Sequence, residues 1–150
     1  MSDLNPSGLN MQNARTPEQV ALMQKIIDDG VCPFCAEYFK KYHPKPIIKE
    51  TEYWFFTENM SPYKGTKYHF LMVYKPSHVR KPSDVAPEAL ADLFVLANWA
   101  IEEYKIPGGS IFMRFGDTRY TGSSVEHLHA HLLMGDNDAP DHEPVRVKLG

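Results

Sequence analysis

The chain has 150 residues, of which 43% are hydrophobic and 12% aromatic, a composition typical of one globular domain rather than of a disordered chain. Its formal net charge of −3 provides no broad basic surface for a nucleic-acid backbone. No apolar run reaches the ~20 residues that cross a bilayer, and the N-terminus has no signal-peptide pattern. We therefore expect a cytoplasmic protein with a small-molecule ligand, and neither a nucleic-acid polymer nor a membrane as its partner.

The N-terminal part of the sequence predicts an arm followed by a helix. Residues 1–15 are polar and show no periodic apolar pattern, which predicts a flexible arm and a single domain over residues 16–150. A helix is predicted at about 17–29, because Thr16 is a favourable N-cap and Gly30 a favourable stop.

Three short runs rich in aromatic and β-branched residues follow a brief helical turn predicted at 36–42. They predict strands at 47–49, 53–57 and 69–74, and proline and glycine separate the last two. Consecutive strands of this kind are typical of an antiparallel meander.

The second half of the chain predicts one long helix and further strands. From Leu90 to Tyr104 apolar residues recur every three or four positions, a helical period that a Pro-Gly-Gly sequence ends. Strands are predicted at 110–115 and 125–134, and 145–149 could add an edge strand. Helices packed on one antiparallel sheet of about five strands make an α+β domain.

Three histidines alternate with apolar residues in His127-Leu128-His129-Ala130-His131. In a strand they would share one face over about 13 Å, at ~3.3 Å per residue. A single histidine on a strand is usually structural, whereas a row of three can bind a metal, bind a phosphoanion or supply a nucleophile. Imidazole suits each role, because its ordinary pKa of about 6.5 allows one ring to be neutral while its neighbour is a cation.

This run and the two leucines after it resemble the His-φ-His-φ-His-φ-φ signature of the histidine triad (HIT) family of nucleotide hydrolases and transferases. The resemblance covers about residues 31–134. Its further matches are Gly122-Ser123-Ser124, Asn59-Met60-Ser61-Pro62, and His69-Phe70-Leu71-Met72-Val73 followed by His78.

The resemblance implies a HIT-like fold and a role for each matching residue. His129, the middle histidine, is implied to attack the α-phosphorus of a nucleotide and to carry a covalent nucleotidyl intermediate. His131 and Ser124 are implied to stabilise the transferring phosphate. The implied substrate-binding residues are Asn59, His69 and Ser123. Several branches of the family form homodimers, so a homodimer is a further expectation.

Three departures from the family pattern concern the substrate more than the chemistry. The family often has Gln in place of Ser123, Asn in place of Gly116, and a shorter loop before its equivalent of His69. The substrate therefore stays open among nucleoside phosphoramidates, dinucleoside polyphosphates and sugar nucleotides, and Glu126 is a hint of the phosphorylase branch. The departures at Ser123 and Gly116 favour an alternative, a nucleotide-binding regulatory protein without turnover.

The only two cysteines, Cys32 and Cys35, are too close in sequence to staple distant segments. A C-x₂-C pair supplies two ligands of a zinc site, forms a redox centre, or stays as two thiols. A redox role is disfavoured, since a helix and not a strand is predicted before the pair. Some HIT relatives and the related galactose-1-phosphate uridylyltransferases imply a structural zinc site, with Cys32, Cys35, His78 and His127 as its ligands. A purely structural zinc module is a third hypothesis for the whole protein.

The remaining aromatic and charged residues are assigned ordinary roles. Trp54 and Phe56 are expected to pack in the core or at a dimer contact. His43 and His142 are expected to be solvated, and Arg114 is assigned no role.

Overall fold

The computed structural model describes residues 7–150 of the chain. The α-helices are α1 (Pro17–Asp29), α2 (Ala36–Tyr42) and α3 (Pro87–Glu103), and single 3₁₀ turns lie at Met11–Asn13 and Pro82–Asp84. The strands are β1 (Ile47–Glu50), β2 (Trp54–Glu58), β3 (Thr66–Tyr74), β4 (Ser110–Arg114) and β5 (His129–Gly135). Within this described part, no helix combines the length and the hydropathy needed to span a membrane. The predicted α+β fold is confirmed.

The strands form one antiparallel sheet in the order β1-β2-β3-β5-β4. β5 therefore lies between β3 and β4, although it is the last strand in the chain. His129 of β5 pairs with Val73 on one side and with Arg114 on the other. His129 and His131 thus lie in the interior of the sheet, where both neighbouring strands fix their positions.

The two faces of the sheet carry different helices. α3 covers one face, where its apolar stripe packs against side chains that include Ala130 and Leu132 of β5. Side chains alternate along a strand, so His129 and His131 point to the opposite face. On that face Phe39 of α2 packs against the sheet, and α1 packs beside it.

The predicted bounds of α1 are confirmed, and the local chemistry explains them. The Thr16 hydroxyl accepts a hydrogen bond from the Gln19 N–H at 3.0 Å, which satisfies a donor that the first helical turn leaves free. At the other end Gly30 has a φ of +70°, a left-handed conformation that glycine adopts without strain.

The strand predicted at 125–134 was placed too early, since β5 begins at His129. The Glu126 N–H donates to the Gly8 carbonyl and the Leu128 N–H to the Val79 carbonyl, both at 2.8 Å. These N–H groups just before β5 therefore bond to other segments, while the Leu128 carbonyl still accepts from the sheet, from the Tyr74 N–H at 3.2 Å.

The edge strand predicted at 145–149 is also wrong, because this segment belongs to no strand. Its Lys148 carbonyl accepts a hydrogen bond from the Arg114 side chain at 2.7 Å, so a side chain takes the place of a ladder partner.

The flexible arm predicted at 1–15 is described from residue 7 onward, and this part is packed. Ser7 and Leu9 are buried, and the Ser7 hydroxyl donates to the Ile26 carbonyl of α1 at 3.1 Å. The Asn10 N–H donates to the Ser124 carbonyl at 2.9 Å, which joins the arm to the loop before β5. Residues 1–6 lie outside the described residues.

Trp54 and Phe56 are fully buried in the core under α3, as expected. The expectation that His43 is solvated was wrong, since it is only 8% exposed. Its Nε2 lies 2.8 Å from the Thr57 hydroxyl, which itself donates to the Pro46 carbonyl. This partner allows the imidazole to be buried without losing a hydrogen bond.

Candidate active site

A cavity of about 250 Å³ opens on the sheet face that carries the histidines. The predicted site residues that line it are His129, His131, Asn59, Ser123 and Ser124. His69 lies behind His131, with its Nε2 2.8 Å from the Nδ1 of His131. The structure therefore gathers the residues that were predicted as catalytic or substrate-binding around one cavity.

A hydrogen bond fixes His129 in one tautomer. Its Nδ1 lies 2.6 Å from the His127 carbonyl oxygen, which can only accept, so Nδ1 carries the proton. Burial lowers the pKa of His129 to about 4, so the ring is neutral at neutral pH. A neutral ring protonated at Nδ1 keeps a free lone pair on Nε2, which is the form a nucleophile requires.

His131 is set as a donor by a short chain of hydrogen bonds. The Tyr63 N–H donates to the Nδ1 of His69 at 3.1 Å, so the neutral His69 ring carries its proton on Nε2 and donates it to Nδ1 of His131. His131 is then protonated on Nε2, an atom that is buried and has no partner among the described residues. Burial lowers the pKa of both rings, that of His69 to about 3, so both are neutral.

The Asn59 amide also approaches His69. Its Nδ2 lies 3.1 Å from the Nε2 of His69, but two N–H donors cannot bond to each other. The Asn59 side-chain oxygen accepts from the Ser61 N–H at 2.8 Å, which orients the amide. The amide hydrogens are therefore available to a ligand in the cavity.

The two serines before β5 differ in what their hydroxyls contact. The Ser123 hydroxyl donates to the Val125 carbonyl at 2.8 Å and accepts the Val125 N–H at 3.2 Å, so it is used in a local turn. The Ser124 hydroxyl has only a 3.4 Å contact with the Gln19 side chain. Ser124 is therefore the better placed of the two to bind a ligand.

The four predicted metal ligands also come together. The Nδ1 of His127 lies 3.5 Å from the Cys32 sulfur, 3.7 Å from the Cys35 sulfur and 3.3 Å from the Nδ1 of His78. The His78 Nδ1 lies 3.5 Å from the Cys35 sulfur, and the four ligand atoms all lie within 4.8 Å of one another. His127 is buried, the cysteines are partly exposed, and His78 is exposed.

This arrangement fits a tetrahedral zinc ion. Bond lengths of about 2.3 Å to sulfur and 2.0–2.1 Å to nitrogen give tetrahedral edges of roughly 3.3 Å between nitrogens and 3.6 Å between nitrogen and sulfur. The distances between ligand atoms match both values. The Nε2 of His127 donates to the Tyr74 carbonyl at 2.6 Å, which leaves its Nδ1 lone pair free for a metal.

A model of the HIT domain matches residues 40–138 of the chain. The chain belongs to the HIT family. Among solved structures it is similar to a HIT-like protein at 24% identity with a TM-score of 0.55, over 67% of this chain and 95% of the other. A HIT family hydrolase from Clostridium thermocellum shares 24% identity with a TM-score of 0.54, over 70% and 91% of the two chains. A histidine triad nucleotide-binding protein from Candida albicans shares 19% identity with a TM-score of 0.56, over 75% and 82%. No curated protein matches the chain.

The residues matched by the HIT domain include the histidine run but not all of the residues that line the cavity. Four cations line the cavity, whereas none of the described residues that line it is acidic. They are Arg15, Arg114, Arg146 and Lys148, and only Arg114 lies within the matched range. Sequence reasoning missed all four, and only Arg114 had a usable signal, its strand position next to the serine loop.

Arg114 is the buried member of this set. It is 7% exposed, donates to the Tyr63 hydroxyl at 3.0 Å, and also bonds to the carbonyls of Lys148 and Thr121. No carboxylate pairs with it among the described residues. No acidic partner in the described part of the chain compensates the positive charge of this buried guanidinium, so the charge can attract an anion to the cavity.

Proposed function

We propose that this HIT protein is a nucleotidyl hydrolase or transferase that acts through a covalent nucleotidyl-histidine at His129. The observation that carries the proposal is the hydrogen bond from the His129 Nδ1 to the His127 carbonyl, which leaves the Nε2 lone pair free in a cavity lined with cations. A neutral nucleophile beside a positively charged wall suits an attack on phosphorus that bears negative oxygens.

The reaction would proceed in two displacements. The His129 Nε2 forms a bond to the α-phosphorus, and the bond from phosphorus to the leaving group breaks, so the leaving group departs with the electron pair and takes up a proton. The His131 Nε2–H and the Ser124 hydroxyl donate to the phosphate oxygens. Water or another acceptor then attacks phosphorus and loses its proton to the solvent, while the bond to His129 breaks and its electron pair returns to Nε2, so the nucleotidyl product is released.

The names of two structural neighbours, a HIT family hydrolase and a histidine triad nucleotide-binding protein, are compatible with this activity. The substrate classes that fit are nucleoside phosphoramidates, dinucleoside polyphosphates and sugar nucleotides. Asn59 would contact the ribose hydroxyls, and His69 would act through His131 by fixing its proton on Nε2.

The same proposal includes a structural zinc ion held by Cys32, Cys35, His78 and His127. Four protein ligands leave no open position, so the ion would organise the chain rather than activate water. Phe34 lies between the two cysteines and its ring packs edge-on against His129, with the ring centroids 5.1 Å apart. The metal site would therefore support the position of the nucleophile through Phe34.

Product analysis tests the proposed activity. The protein is incubated with adenosine phosphoramidate, a diadenosine polyphosphate and a sugar nucleotide, and the products are separated by chromatography. We expect one of these to release nucleoside monophosphate or its transfer product, and the His129→Ala variant to be slower by at least about a thousandfold. His142→Ala, at an exposed position outside the cavity, is the control and should keep the activity.

A second candidate function is nucleotide binding without turnover. It is favoured by one observation, that the Ser123 hydroxyl is bonded within its own turn and is not free for the leaving group. In that case nucleotides would raise the unfolding temperature of the wild-type protein while no product forms with any of the three substrates.

A further inference from the structure

Residues 143–150 lie across the loop that carries the cavity serines. The Lys148 carbonyl accepts from Arg114, and the Lys148 ammonium donates to the Asn13 side chain at 2.7 Å. A Cβ on Gly122 would lie 2.5 Å from the Lys148 carbonyl oxygen, which shows how closely the two segments pass. The 143–150 segment is therefore anchored through its backbone on the buried Arg114 and through the Lys148 side chain on Asn13.

The anchoring places two exposed cations at the cavity. Arg146 and Lys148 both line it, and both are exposed. The hydrogen bond from the Lys148 ammonium to Asn13, which also lines the cavity, holds this cation at the cavity. The whole chain has 19 acidic and 16 Lys and Arg residues, yet the described lining of the cavity holds four cations and no acid. This separation of charge favours an anionic ligand in the cavity.

We infer that Arg146 and Lys148 form an anion subsite that binds a phosphate chain attached to the α-phosphate of the nucleotide. The inference rests on the proposed function and makes it more specific. The preferred substrate would have a leaving group with two or more phosphates, in place of an amine or a sugar. His131 and Ser124 serve the α-phosphate itself, so the cations of the 143–150 segment are left for charge farther along the ligand. Each added phosphate brings negative charge, which these cations attract most strongly at low salt.

Calorimetric titration of AMP, ATP and inorganic tripolyphosphate tests the subsite. All proteins carry His129→Ala so that no ligand is consumed. We expect the parent to bind ATP more tightly than AMP, and Arg146→Gln with Lys148→Gln to lower the ratio of ATP to AMP affinity about tenfold. Tripolyphosphate binding should weaken in parallel. The control variant, Lys25→Gln with Lys67→Gln, removes the same charge from exposed positions outside the cavity and should keep the parent's ratio.

The outcomes separate this inference from the proposed function. An unchanged ratio of ATP to AMP affinity in Arg146→Gln with Lys148→Gln would overturn the subsite, while AMP binding itself would leave the nucleotide site standing. Tripolyphosphate binding that depends on Arg146 and Lys148, without any AMP binding, would support the anion subsite and contradict the nucleotide function.

A second variant displaces the segment without removing its charges. Gly122→Ala brings a Cβ against the Lys148 carbonyl oxygen, whereas Gly30→Ala introduces the same left-handed strain with nothing within 4 Å. We expect trypsin to cleave after Arg146 and Lys148 faster in Gly122→Ala, with a lower ratio of ATP to AMP affinity, and Gly30→Ala to match the parent. A displaced segment with an undiminished ratio would overturn the subsite.

Discussion

His129, His131 and His69 each have their proton position set by a neighbour. The His127 carbonyl fixes the proton of His129 on Nδ1, and the Tyr63 N–H fixes that of His69 on Nε2. His131 follows from His69, because its Nδ1 must accept. One strand thereby presents a lone pair on His129 and a donor on His131, two opposite functions from the same residue type.

Burial of His69 makes the stability of the protein depend on pH. Its pKa is about 3 in the folded chain, mainly because burial disfavours the cation, against an ordinary value of 6.5. Below pH 6.5 the unfolded chain therefore binds a proton that the folded chain does not. The free energy of unfolding should fall as the pH falls from 6.5 to about 3, by up to about 1.4 kcal/mol per pH unit for this group.

Urea unfolding of His69→Asn as a function of pH measures this contribution. The variant should show a flatter dependence of the unfolding free energy on pH than the wild-type protein. His142→Asn, at an exposed position, should keep the wild-type slope. Equal slopes in the wild-type protein and His69→Asn would show that His69 is not held neutral.

At the scale of elements, the Cys-Pro-Phe-Cys turn joins the helical layer to the start of β5. Cys35 is the N-cap of α2, and His127 lies two residues before β5. Without a metal, Cys35 and His127 are connected covalently only through the long stretch of chain between them. An ion bound to both residues would cross-link them directly, which would stabilise the folded state.

Zinc removal should therefore destabilise the protein. We expect zinc to co-purify with it, and a chelator to lower its unfolding temperature. His78→Ala is the most informative variant, because His78 is exposed and its loss leaves no buried cavity. A lower zinc content and unfolding temperature in His78→Ala, with His142→Ala unchanged, would support the site. Metal-free protein that is indifferent to the chelator would contradict it.

Elements defined by local signals could be predicted from the sequence. α1 follows from the Thr16 cap and Gly30, and α3 follows from its apolar period. The start of β5 and the path of 145–149 could not be predicted, because their hydrogen-bond partners, such as Gly8, Val79 and Arg114, come from distant parts of the chain. The same reason applies to the cations of the cavity: a motif predicts the residues within it and not those that tertiary packing adds.

At the scale of the whole molecule, β4 is an edge strand with one paired neighbour. It exposes Ile111 at 36%, and α3 exposes Phe94 at 56% and Val95 at 65%. An exposed edge with apolar side chains is suited to pairing with a second copy, which adds a structural reason to the homodimer prediction made from the family resemblance.

Light scattering coupled to size exclusion tests this assembly. A dimer of the 17.2 kDa chain has a mass of about 34 kDa. Ile111→Lys places a charge on the edge strand and should give a monomer, whereas Val20→Lys, at an exposed apolar residue of α1, should stay dimeric. A wild-type mass equal to that of one chain would contradict the homodimer.

The covalent nucleotidyl-His129 intermediate is the central claim, and intact-mass spectrometry after rapid mixing with substrate tests it most directly. The account predicts an added nucleoside monophosphate on the wild-type protein within the first turnovers, and no adduct on His129→Ala, which should still bind the nucleotide. Product release without an adduct in the wild-type protein, or an adduct that persists in His129→Ala, would contradict the account.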